Sequence, residues 1–176
     1  MANEAIILGE GVFAIGETDL GLTRGGGQFT VTREYRRINA DGDRGPVKGR
    51  IRLVSSEATL QINQLELLVD DLAKFFPATK VTDSNGTTKF EGKPDIEAAD
   101  YNDTVTWTGR TLDGRECVIT IKNALNLGNL QWTMAERDEV VSQMTFTATY
   151  TEANRLGDEE PWSIEFVESG GEGEEV

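Results

Sequence analysis

Apolar and polar residues alternate along most of the chain, and the alternation predicts strands. From Gln28 to Asn39, Phe29, Val31, Arg33, Tyr35 and Arg37 fall on one face, with Thr30, Thr32, Glu34, Arg36 and Ile38 on the other. Ala40 to Pro46 is dense in turn formers and predicts a loop. The pattern resumes over Val47–Val54, with Ile51 and Leu53 together, and again over Thr59–Asn63, with Leu60 and Ile62 inward. Asp113-Gly114 between Thr104–Thr108 and Glu116–Lys122 predicts a hairpin. Leu130, Trp132 and Met134 alternate, as do Met144, Phe146, Ala148 and Tyr150, and a last strand is expected over Trp162–Val167. About ten short strands predict a mainly β chain folded as a sandwich or barrel.

One segment has a different period. Leu65, Leu68, Val69, Leu72 and Phe75 share one helical face, with Asn63 placed to cap it and Glu66 three residues later. Pro77 sets the end, because the residue before a proline avoids helical geometry. The expectation is a single helix over Gln64–Phe76 packed on a sheet. The following stretch, residues 77–99, reads either as a loop excursion or as a loose hairpin pairing Lys80–Thr82 with Thr88–Phe90 around Asn85-Gly86. Glu168–Val176 has almost nothing to bury and is expected to be a disordered acidic tail. A single domain is thus expected over residues 1–167, with an N-terminal arm over 1–27.

Composition removes several classes of chemistry. The 176 residues contain no histidine, so no Ser-His-Asp or Cys-His catalytic arrangement and no His-ligated metal site is available. A single cysteine excludes an internal disulfide and a CxxC zinc site. Gly9-Glu10-Gly11-Val12-Phe13-Ala14 fits a loose dinucleotide fingerprint but opens no helix. Asp41-x-Asp43-x-Gly45 begins like a calcium loop, but Arg52 stands where the bidentate glutamate belongs. No catalytic residue, cofactor or metal is therefore expected. No run of about 18 apolar residues is present, and the first residues lack a basic leader, so synthesis in the cytoplasm without membrane binding is the expectation.

Charge is unevenly placed. Acids outnumber bases 31 to 17, a net charge of −14. Yet Arg24–Arg52 holds eight basic residues against Glu34, Asp41 and Asp43, while Glu152–Val176 holds nine acids against Arg155. So acidic a molecule is a poor ligand for nucleic-acid phosphates. The opposite-sign segments can meet each other, within one chain or between copies. Threonine also clusters. Thr104, Thr106 and Thr108 form one strand face, Thr145, Thr147 and Thr149 another, and Thr30 and Thr32 a third. Each is either an ordinary solvated face or a sheet held against something polar, such as water in a channel.

The runs FAIGET (residues 13–18), TREYRRINADGDRGPVKGR (32–50), ATLQINQLEL (58–67) and YNDTVTWTG (101–109), with Pro161-Trp162, resemble the major tail tube protein of long, non-contractile-tailed bacteriophages. The resemblance implies a β-sandwich or half-barrel with one flanking helix. It implies hexameric rings whose inner sheets close a continuous barrel, stacked into a hollow tube through a long inter-strand loop. That loop maps onto Asn39–Lys48. The implied stacking residues are Arg36, Arg37, Asp41, Asp43, Arg44, Lys48, Arg50 and Arg52. The implied partners are further copies of the chain, a tape-measure protein, tail tip and tail terminator proteins, and DNA that passes without specific binding, in a virion assembled in the host cytoplasm. Two other readings stay open: a tube-like part of a related injection machine, such as a type VI secretion tube or a tail terminator, and an unrelated small-ligand-binding β-barrel.

Overall fold

The computed structural model describes residues 5–168, so the tail over 169–176 lies outside the described residues. Ten strands form two packed layers and a small separate hairpin. The first layer runs β2 (Thr18–Asp19), β1 (Ile7–Ile15), β7 (Asn102–Thr111), β8 (Glu116–Asn126) and β10 (Trp162–Val167). The second runs β3 (Thr23–Arg37), β4 (Ile51–Gln64) and β9 (Ser142–Thr147). Strand β8 belongs to both: its first part pairs with β7 and β10, and its end pairs with β9 at Leu125↔Thr147 and Asn126↔Phe146. The result is the expected mainly β sandwich or half-barrel, joined through β8. Residues 7–27, expected as an arm, supply β1, β2 and the start of β3.

The core lies between the layers. Phe13, Ile15, Val105, Trp107, Cys117 and Ile121 face Ala58, Leu60, Ile62, Met144 and Phe146. Fully burying side chains of this size contributes about 1.5–3 kcal/mol each. The Trp107 indole lies against Gly11 and Gly109, where a Cβ would sit 2.5 and 2.3 Å from its ring atoms. Asn126 is a buried polar node: Nδ2 donates to the Phe75 carbonyl at 2.7 Å, and Oδ1 accepts from Gly128 N at 2.9 Å and Thr145 N at 3.0 Å.

The helix is much shorter than its periodicity predicts. Gln64 ends β4 instead of starting a helix, and helical structure is confined to a 3-10 turn over Val69–Asp71 and α1 over Leu72–Phe75. Gln64 is held in the sheet instead, paired with Thr23 and Ser142, and its side chain donates to the Leu20 carbonyl at 3.0 Å. The Leu65 and Glu66 amides both donate to the Leu22 carbonyl, at 2.9 and 3.1 Å, and the Glu66 carboxylate accepts from Leu22 N at 3.2 Å. The acid expected to complete a cap thus holds the β2–β3 connection. Leu72 and Phe75 are buried as expected, whereas Val69 is 49% exposed.

Residues 77–99 do contain a hairpin, of β5 (Thr79–Ser84) and β6 (Thr87–Gly92), with Asn85-Gly86 at its turn. Asp100 ties this hairpin to the body by accepting from Ala78 N and pairing with Lys93 at 2.9 Å. Leu130, Trp132 and Met134 form no strand. Residues 127–141 are irregular, fixed by Trp132 Nε1 donating to Ser142 Oγ at 3.2 Å and by Arg24 bridging Asp138 and Glu139 at 3.1 and 2.7 Å.

Candidate assembly surface

Strands β3 and β4 outrun the layer beneath them. Past Val31↔Ala58 they continue as a two-stranded ribbon through Arg37↔Ile51, capped by a loop over residues 38–50. The sequence suggests two strands here, over 47–54 and 59–63, with opposite inward phases. The structure fuses them into one strand through a β-bulge at Val54: Glu34 pairs with Ser55, then Tyr35 with Leu53. The extra residue reverses the phase of β4, which a one-residue insertion must do when side chains alternate. Leu60, Ala58, Leu53 and Ile51 therefore follow one face, with Phe29, Val31 and Tyr35 opposite them. The apolar stripe of the core thus runs out along the ribbon into solvent, where Tyr35, Leu53 and Ile51 are exposed.

The basic residues are brought together on this ribbon and its loop. Arg36 lies directly opposite Arg52, and like charges so placed repel. Among the described residues, no carboxylate lies within ion-pair distance of Arg36, Arg37, Arg44, Lys48 or Arg52. Asp43 and Arg50 bond to each other at 2.9 Å, and Asp43 also accepts from Ala40 N at 2.8 Å. These bonds tie the loop's two ends together within the chain. Asp41 is exposed at its turn. At the ribbon's base, Arg33 lies over the Trp162 ring, 5.8 Å from its centroid.

The threonines expected to share faces are differently placed. Thr104, Thr106 and Thr108 do share the outward face of β7, beside Lys122, Thr120 and Val118 of β8. Thr147 is only 7% exposed, enclosed where β8 crosses to β9, so it lines no open face. Thr149 lies beyond β9 and its hydroxyl donates to the Asn123 carbonyl at 2.6 Å. Thr145 belongs to a cross-strand row that spacing alone does not reveal. Gln28, Gln61 and Thr145 align across β3, β4 and β9; Thr30, Thr59 and the buried Thr147 align in the next row, and Asn63 and Gln143 in the one before.

A slot of about 470 Å³ opens between the layers, lined by Phe13, Phe29, Leu60, Trp107 and Ile119 and by glycines of β1 and β3. It offers shape and apolar contact but no convergent ionisable groups. Cys117 is fully buried, and burial pushes its thiol above the ordinary range, away from the reactive thiolate. Among the described residues no group of His, Cys, Asp and Glu side chains is placed to hold a metal ion, and no helix is long and apolar enough to cross a membrane. No family model matches the chain, and no curated protein matches it.

Proposed function

We propose that the chain is the structural subunit of a bacteriophage tail tube. It assembles as hexameric rings, and the rings stack helically around a tape-measure protein between tail tip and terminator proteins. The hollow tube then conducts DNA without binding it specifically. The observation that carries this reading is the ribbon: an exposed apolar stripe flanked by arginines that meet no carboxylate among the described residues, projecting from a chain of net charge −14. Copies so charged repel unless cationic and anionic surfaces meet. A heterologous contact of this kind builds rings or open filaments. The resemblance of residues 13–18, 32–50, 58–67 and 101–109 to tail tube proteins supplies the rest. The chain acts in the virion tail and is assembled in the host cytoplasm. Electron microscopy of the concentrated full chain tests the reading: stacked rings with a central channel are expected, and scattered amorphous aggregate would count against it.

The apolar slot favours a second reading, a β-barrel that holds a small apolar ligand. Saturable binding of a fluorescent fatty acid, abolished by Gly27→Val at the slot wall, is what that reading requires.

A further inference from the structure

Neither layer fully covers the other. On the inner face of the first layer, Trp107, Ile119 and Ile164 share one cross-strand row, and Cys117 and Phe166 share the next. Strand β3 covers the β10 side of this face only at its start. There Phe29 packs on Trp162, with ring centroids 5.9 Å apart, and Arg33 lies over the same ring. Beyond Trp162, Ile164 and Phe166 are 41% and 48% exposed, although Cys117 on the same face is fully buried. Trp107 and Ile119 also line the 470 Å³ slot, so the slot and the two exposed side chains form one apolar groove. Its charge is acidic. Glu10 lines the slot, and past Phe166 the sequence holds Glu168, Glu172, Glu174 and Glu175 with no base. The second layer has the converse excess: Tyr35, Leu53 and Ile51 on the inner face of the ribbon have no first layer beneath them.

We infer that the ribbon of a second copy lays its Tyr35–Leu53–Ile51 face into this groove, over Ile164, Phe166 and the mouth of the slot. The inference rests on the tube reading above and adds the surface that receives the ribbon. Three arguments carry it. The first is reach. Phe29 lines the slot, and Tyr35 lies farther along the same paired strand, about 20 Å away at about 3.3 Å per residue. A ribbon so held cannot fold back into its own groove. The second is chemistry. The terminal segments are poor occupants, because residues 169–176 offer only Val176 and residues 1–4 only Met1 and Ala2 as apolar side chains. The ribbon offers an exposed tyrosine and two aliphatic residues, and buried tyrosines and arginines are the usual anchors of an interface. The third is charge. Arg37 stands beside Ile51 on the ribbon's apolar face and meets no carboxylate among the described residues. The groove supplies acids, and such complementarity selects and orients a partner. Ribbon and groove are different surfaces, so the contact repeats from copy to copy without closing on itself in pairs.

The test links ribbon to groove with a short bismaleimide in the full chain, where the native Cys117 is buried and silent. One variant carries Leu53→Cys, which keeps the Tyr35 anchor, and the other carries Ile164→Cys, which keeps Phe166. Tyr35→Cys and Phe166→Cys make a second pair. In the free subunit each new thiol should react with N-ethylmaleimide. After assembly of an equal mixture, the reagent should give linked dimers from a ribbon variant with a groove variant, and several-fold fewer from either variant alone. Tyr35→Ala should separately abolish assembly while leaving the unfolding midpoint unchanged, since the side chain is exposed in the subunit. Dimers from a ribbon variant alone mean that ribbons pair with each other, and overturn the docking. Groove thiols already protected in the free subunit mean that a terminal segment fills the groove, and overturn it too. Tubes that form without any ribbon-to-groove link, or that form normally from Tyr35→Ala, overturn the docking and leave the tube reading standing. Failure of the unmodified chain to form any tube overturns the reading beneath it.

Discussion

Asn126 is the residue on which both layers and the helical segment converge. Its carboxamide satisfies Phe75 O, Gly128 N and Thr145 N from inside the protein. Asn126→Ala leaves all of them unpaired, and a buried orphan costs about 1–3 kcal/mol. We expect the variant to lose about 3 kcal/mol, read as a fall in the thermal unfolding midpoint, with no ligand able to restore it. Gly109 makes a second residue-scale test. A Cβ there meets the Trp107 ring at 2.3 Å and the Glu10 carbonyl at 2.9 Å, so Gly109→Ala should destabilise by about 1–3 kcal/mol, the usual cost of overpacking. Neither residue announces itself in the sequence. Each depends on which strands become neighbours.

At the scale of elements, the β7–β8 turn was legible because Asp113-Gly114 carries its own chemistry, and the same residues give it a pH dependence. The Arg115 guanidinium and the Thr111 hydroxyl bond the Asp113 carboxylate and lower its pKa to about 2. A carboxylate whose pKa falls on folding stabilises the native state above its ordinary pKa of about 3.9. That contribution is lost as pH falls toward about 2. Asp113→Asn should therefore be less stable than the native chain at neutral pH, with the gap closing by about pH 2 in acid-unfolding curves. Periodicity overstates the helix because it cannot show that Gln64 is paired in the sheet with Thr23 and Ser142. Phase alone divides the long β4 strand in two, because the Val54 bulge inverts it. The cross-strand rows are hidden for a related reason: Gln28, Gln61 and Thr145 align only once the register is fixed.

For the whole molecule, the separation of charge is the feature that asks for partners. Arg44 is exposed at the ribbon's tip, and an exposed charge contributes little to subunit stability. Arg44→Glu should leave the unfolding midpoint unchanged while abolishing ring stacking, because removing one partner of a desolvated interface pair costs about 2–5 kcal/mol at every repeat. Added salt should partly restore assembly, since screening acts over about 8 Å at physiological ionic strength. Normal tubes from this variant would remove the loop from the stacking contact. The most direct measurement is the protein composition of purified phage particles from cells that carry this gene. The chain should be their most abundant tail protein. If it is plentiful and soluble in the producing cells but absent from the particles, it is not a tail tube subunit.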